Sequence, residues 1–169
     1  MLDPKGLDPA RLMAHKAGGK SLKSFPGKSI TNKQLLELPV DILVPAALEN
    51  QITANNASRI RAKLIAEAAN GPTNPLADES LFKRGHTVIP DILANAGGVT
   101  VSYFEWVQDI QAYFWSEKEI NARLQEIIVK AFRDVYETAQ REKVDMRLAA
   151  FMVGLTRLAK AVRIRGTFP

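Results

Sequence analysis

The 169-residue chain contains no cysteine, so it forms no disulfide and offers no thiolate to a metal. That absence fits a reducing compartment, and a cytoplasmic location is the expectation. Histidine is nearly as scarce: His15 and His86 are the only two, far apart, and they form no paired-histidine metal spacing. No run approaches the ~18 consecutive apolar residues that a membrane-spanning helix needs. The opening residues Met1-Leu2-Asp3-Pro4-Lys5-Gly6 lack the apolar centre of a signal peptide. Ten glycines are present, but none forms the G-x-G-x-x-G turn that seats a pyrophosphate on a helix amino terminus.

What remains is ordinary globular material, 46% hydrophobic and 24% charged, enough to bury a core. The formal charge is +5. The excess gathers at the two ends, in Lys16, Lys20, Lys23 and Lys28 and again in Arg157, Lys160, Arg163 and Arg165. Charge alone is a weak pointer to nucleic acid, and the arginines of the last helix are most simply a solvated or intersubunit face.

Turn and cap signals divide the chain. Asp8 followed by Pro9 predicts a short helix to about Lys16, and Thr31-Asn32-Lys33-Gln34 predicts a capping box. Three short apolar runs, Asp41–Ala47, Lys63–Ala68 and Thr87–Pro90, read as buried strands. A helical turn over Ala54–Arg61 separates the first two. A helix capped by Asn74, with Pro75 at its first position and Gly85 closing it, separates the second and third. This alternation predicts an α/β fold, a parallel sheet of about three strands with crossover connections. Ser116-Glu117-Lys118-Glu119 is a second capping box and opens a long amphipathic helix; Asp145 opens a last one ending at Gly166. The expected division is residues 1–112 and a carboxyl-terminal helical segment, residues 113–169.

In a parallel sheet the loops after Val44, Ala68 and Pro90 share the carboxyl edge, where open α/β sheets place ligands. Small Ala46 and Ala47 at the first strand end let a flat ring approach, or simply begin a helix. Asn70-Gly71-Pro72-Thr73 is a turn by composition, and Asn70 can also hydrogen-bond a ribose or a carboxylate. Asn95-Ala96-Gly97-Gly98 reads as a glycine turn that lets the backbone approach a ligand, followed by a helix start. Ser102 lies one helical turn beyond Gly98. Its hydroxyl either donates to a carboxylate or bonds its own backbone. Glu105 and Trp106 fit helix packing or a subunit contact better than acid–base work.

The blocks Pro45–Ile52, Ala66–Pro75 and Val88–Trp106, together with Trp115-Ser116 and the Asp145–Gly166 helix, closely resemble the glutamate dehydrogenase family in order and spacing. Leucine, valine and phenylalanine dehydrogenases share Asn-Ala-Gly-Gly-Val, but they resemble this chain less around Asn70–Thr73 and Ser102–Trp106. The resemblance implies a partial Rossmann-like domain that binds NAD or NADP. It implies reversible oxidative deamination of L-glutamate to 2-oxoglutarate and ammonia, in an oligomer that is commonly a hexamer. By resemblance Ala46 and Ala47 line the cofactor, Asn70 contacts the nicotinamide ribose, and Asn95 holds the carboxamide or substrate region. Val99 and Ser102 meet the substrate, Ser102 at the distal carboxylate. The family's glycine-rich turn, catalytic lysine and catalytic aspartate have no counterpart here. The expectation is therefore a carboxyl-terminal portion with no catalytic residue of its own, inactive alone. The alternative is a non-catalytic binding or oligomerisation module derived from that fold.

Overall fold

The structure, a computed structural model, describes residues 1–166. It contains two compact units, Met1–Leu38 and the remainder of the chain.

In the first unit Asp8 caps α1 (Pro9–Ala17), its Oδ1 accepting from the Ala10 and Arg11 N–H groups. Leu2 and Lys28 form an antiparallel bridge. Both halves of the Thr31–Gln34 capping box are made at α2 (Asn32–Leu36), with Gln34 N donating to Thr31 Oγ1 and Thr31 N to Gln34 Oε1. His15 lies 3.0 Å from Ser24 Oγ and 3.0 Å from the Ser21 carbonyl, with its ring edge-on to Phe25. Its partners make it a local structural residue.

The second unit holds β1 (Ile42–Leu43), β2 (Leu64–Ala66) and β3 (Thr87–Ile89), all parallel in the order β1-β2-β3. Ile42 pairs with Leu64, and Ile65 with Val88. The strands are shorter than the apolar runs that announced them. Pro45 and Pro90 lack the N–H needed to continue a ladder. Pairing nonetheless runs on as single bonds, Ala69 N to the Pro45 carbonyl at 2.9 Å and Glu67 N to the Ile89 carbonyl at 3.1 Å.

Between β1 and β2 the expected helical turn shrinks to one 3₁₀ turn, Ala57–Arg59. The Asn56 side chain ties down its start, accepting from Thr53 N and donating to the Gln51 carbonyl. Arg84 ties down its end through the carbonyls of Ala57 and Ile60. Between β2 and β3 lies α3 (Pro75–Lys83), capped by Asn74 through Ala77 N. Gly85 follows at φ +78°, which only glycine adopts without strain.

After β3 the chain departs from expectation. Pro90 leads into a single-turn helix, α4 (Asp91–Ala94), and α5 (Ala96–Gln111) begins two residues later. Gly97 and Gly98 therefore lie inside α5, not in a turn. Asn95, with φ −104° and ψ 5°, is the joint between the two helices. Ser116 and Glu119 close their capping box on α6 (Glu117–Glu142), and Asp145 caps α7 (Met146–Arg165) through Leu148 N.

α6 and α7 pack back onto β3 and α4. Leu93, Val135, Ala139, Met146 and Ala149 form a buried cluster, flanked by Ile89, Val144 and Val153. Leu93 is the one member from α4, so it carries that short helix's attachment to the helical layer. Leu93→Ala leaves a cavity there and should cost about 2–5 kcal/mol. The urea midpoint of the purified chain checks this, with wild-type stability as the overturning result.

Candidate functional site

The three loops meet at the sheet's carboxyl edge, and main-chain bonds lace the first two together. Asn50 N donates to the Gly71 carbonyl at 2.9 Å, Gln51 N to the Pro72 carbonyl at 2.8 Å, and Ile52 bridges to Thr73 in parallel. Ile52 is fully buried and anchors this lacing. Ala46 and Ala47 stand exposed beside it, immediately after the Pro45 carbonyl that accepts from Ala69. Gly71 takes φ +54°, so the turn after Asn70 bends as only glycine does cheaply.

The second and third loops meet through their asparagines. Asn95 Nδ2 donates to Asn70 Oδ1 at 2.6 Å and lies 3.5 Å from the Ala68 carbonyl. Because its carboxamide reaches sideways, Asn95 does not cap α5, although it occupies the capping position. The first-turn N–H groups of α5 are thus left without a side-chain acceptor, at the positive end of a 16-residue helix. Apart from the chain neighbours and the helix's own backbone, no described atom lies within 4 Å of where a Cβ would stand on Gly97 or Gly98. Glycine at each helical position costs about 0.5–1 kcal/mol relative to alanine, and nothing inside the described chain requires it.

Val99 and Ser102 continue outward on α5, Val99 70% exposed and Ser102 exposed. The Ser102 hydroxyl donates to the Gly98 carbonyl at 3.2 Å, the backbone bond weighed against a ligand role. That length is beyond the usual range for an O–H donor, so an arriving carboxylate competes with a weak bond. The structure therefore brings Asn70 into contact with Asn95. It sets Val99 and Ser102 on the helix Asn95 introduces, and Ala46 and Ala47 on the neighbouring loop. His86 is half-buried, with Nδ1 2.7 Å from the Ala62 carbonyl.

Behind these loops lies a cluster that the pattern of residues did not reveal. Arg147, in the first turn of α7, spreads its guanidinium over three carboxylates. Nη2 donates to Glu67 at 2.6 Å, Nε to Asp78 at 2.5 Å and Nη1 to Asp91 at 2.8 Å. Glu67 follows β2 and is fully buried, Asp78 lies on α3, and Asp91 opens α4. Glu67 Oε2 also accepts from Asp91 N, and Asp91 Oδ2 accepts from Gly71 N, each at 2.8 Å. Glu67 Oε1 is buried with no hydrogen-bond partner among the described residues. The partners are 56 to 80 residues from Arg147, beyond any local periodicity. The one sequence signal was a glutamate at the end of an apolar strand, which a buried sheet does not hold unpaired.

The environments push two of these acids apart. Burial raises the Asp78 carboxyl, and Arg147 only partly offsets it. Burial also works on Asp91, but the N–H groups of Gly71 and Ile92 and the Arg147 cation outweigh it and hold that carboxyl below its ordinary 3.8. For Arg147 burial is outweighed by its bonds to Asp78 and Glu67, so it stays charged more firmly than a free arginine.

The signs for stability are opposite. A depressed folded-state value means Asp91 contributes fully above its unfolded value and loses that contribution as pH falls through the folded value. The stability difference between wild type and Asp91→Asn should hold steady above about pH 5 and shrink below about pH 4. A raised value means Asp78 contributes most at low pH and loses it as pH rises through the folded value. Urea midpoints of Asp91→Asn and Asp78→Asn across that range check both signs; parallel curves would overturn the assignment.

Among the described residues no group of acids, histidines or cysteines is arranged to hold a metal ion, and no helix is long and apolar enough to cross a membrane. A family model described as Glutamate/Leucine/Phenylalanine/Valine dehydrogenase matches residues 1–166. The NAD-specific glutamate dehydrogenase of Staphylococcus aureus is 51% identical over 164 residues, 97% of this chain and 40% of that protein. The glutamate dehydrogenase of Thermotoga maritima is 51% identical over 99% of this chain and 40% of its own length. The leucine-bound hetero-hexameric glutamate dehydrogenase from Thermus thermophilus superposes with a TM-score of 0.89 at 35% identity, covering all of this chain and 40% of that one. The chain thus spans about 40% of the length of the curated relatives it matches.

Proposed function

This chain belongs to the glutamate/leucine/phenylalanine/valine dehydrogenase family, and we propose that it is the carboxyl-terminal part of an NAD(P)-dependent glutamate dehydrogenase. The reaction is the reversible oxidative deamination of L-glutamate to 2-oxoglutarate and ammonia. The observation that carries this reading is 51% identity, across 97% of the chain, to a glutamate dehydrogenase. The NAD specificity of that relative supports NAD as the cofactor. In this reading residues 1–112 hold the partial dinucleotide-binding part and residues 113–169 the carboxyl-terminal helical segment, whose last three residues lie outside the described ones.

The geometry at the sheet edge fits a nicotinamide cofactor and a dicarboxylate. Glycine at 97 and 98, open space beside both, and an uncapped helix start leave room and N–H donors for a ligand. Ala46 and Ala47 border the cofactor, Asn70 holds the nicotinamide ribose, and Asn95 the carboxamide or substrate region. Their mutual bond fixes both carboxamides before a ligand arrives, so less freedom is lost on binding. Val99 and Ser102 face the substrate side chain, with Ser102 donating to the distal carboxylate. A nicotinamide cofactor held by Ala46, Ala47, Asn70 and Asn95 would supply the hydride acceptor. No residue of this chain is assigned proton transfer, so the chain alone is inactive and needs the amino-terminal part of the enzyme.

A second reading, an association module without catalysis, is supported by the apolar residues left exposed along α7, among them Phe151, Leu155 and Leu158 at 51–62% exposure. The chain, alone and mixed with the amino-terminal part of a glutamate dehydrogenase, separates the two. Glutamate-dependent NADH formation in the mixture alone supports the first reading. Stable self-assembly with no activity in either sample supports the second. In the active mixture Ser102→Ala should raise KM for glutamate about tenfold, the worth of one hydrogen bond to a charged group, with KM for NAD unchanged. Unchanged glutamate kinetics would remove Ser102 from the site.

A further inference from the structure

We propose that Arg147 is a positioning residue for this site, setting both ligand-facing asparagines through Asp91 without touching a ligand itself. The inference rests on the reading above for what the asparagines bind, but not for how they are held.

Two paths leave the guanidinium and end on the same pair of side chains. Along the first, Arg147 Nη1 holds Asp91 Oδ1, and Asp91 Oδ2 accepts from Gly71 N, the residue directly after Asn70. Along the second, Asp91 is the first residue of α4, and its carbonyl accepts from Asn95 N at 3.1 Å. The paths close where Asn95 Nδ2 meets Asn70 Oδ1. Arg147 Nη2 meanwhile holds Glu67, whose Oε2 accepts from Asp91 N and sets the start of α4 against the end of β2. One planar fork therefore fixes where the turn carrying Asn70 stands relative to the helix joint carrying Asn95.

The cost of this arrangement argues for its use. Glu67 is fully buried, with one oxygen serving two donors and the other serving none. An apolar residue there would avoid that loss, so the carboxylate is retained for what it orients. Arginine is required by shape. Its donors leave in one plane towards three elements, whereas a lysine ammonium is a compact point charge.

Asp78 supplies the control. It bonds the same guanidinium, but it lies on α3, off both paths. Arg147→Lys keeps the charge and loses the fork. Asp91→Asn keeps the shape but cannot accept from both Gly71 N and Arg147. Hydrogen exchange of the Gly71 amide and the NMR shift of the Asn95 carboxamide report the loops. Thermal midpoint reports the fold, and titration with NADH of the chain mixed with the amino-terminal part reports the site.

Arg147→Lys and Asp91→Asn should speed Gly71 exchange about tenfold or more, move the Asn95 carboxamide resonance, and weaken NADH binding about tenfold. Asp78→Asn should leave all three within about twofold even where it lowers the thermal midpoint. Unchanged Gly71 exchange and an unmoved Asn95 resonance in Arg147→Lys and Asp91→Asn would overturn the proposal. So would equal loosening in Asp78→Asn, because the effect would then be general softening. Should Arg147→Lys not fold, Asp91→Asn decides alone. Failure of the wild-type chain to bind NADH when mixed with the amino-terminal part would count against the cofactor reading, while the exchange data on the chain still decide the positioning.

Discussion

A single guanidinium shared by three carboxylates holds the second unit together at the carboxyl edge of its sheet. Arg147 comes from the last helix, and its partners come from the end of β2, from α3 and from the start of α4. Ion pairs at a surface are worth little, because water and side-chain entropy cancel most of the attraction. This cluster differs in being largely withdrawn from water, with Glu67 fully buried and Arg147, Asp78 and Asp91 about a fifth exposed or less. Removing the cation would strand acids that cannot be solvated in place, so α7 and the sheet edge stand or fall together.

The hydrophobic contacts work with that constraint. Leu93 plugs α4 into a cluster formed by Val135, Ala139, Met146 and Ala149. Met146 and Arg147 are neighbours, so the start of α7 turns one residue into the core and the next onto the carboxylates. Apolar packing sets how close α7 comes to α4. The guanidinium, being directional, sets the rotation. Asn95 can then give up its capping role, because α4 and α5 are held by their own attachments and its carboxamide is free to meet Asn70.

This division of labour suits the proposed site, in which the amino terminus of α5 meets a ligand. The first turn of α5 has no side-chain cap, carries two glycines with open space beside them, and leads to Val99 and Ser102. Each feature costs stability within the chain: an uncapped helix start, glycine entropy, an exposed valine. Such local losses are characteristic of places where a protein is shaped for something outside itself.

Local chemistry made much of the fold legible. Asp8, Thr31, Asn74, Ser116 and Asp145 each announced a helix start, because a cap is a bond between neighbours in the chain. Three apolar runs separated by crossovers imply a parallel sheet, and a parallel sheet places the loops with Ala46, Ala47, Asn70 and Asn95 on one edge. The sequence alone misjudged Gly97 and Gly98 as a turn. Whether glycine bends a chain or lies in a helix depends on where the preceding residues have already turned, here through Pro90 and α4. The contact between Asn70 and Asn95 and the convergence of Glu67, Asp78 and Asp91 on Arg147 were decided only by tertiary structure. Those partners are joined by packing between elements distant along the chain, and no spacing or periodicity in the sequence encodes a bond that long-range packing alone creates.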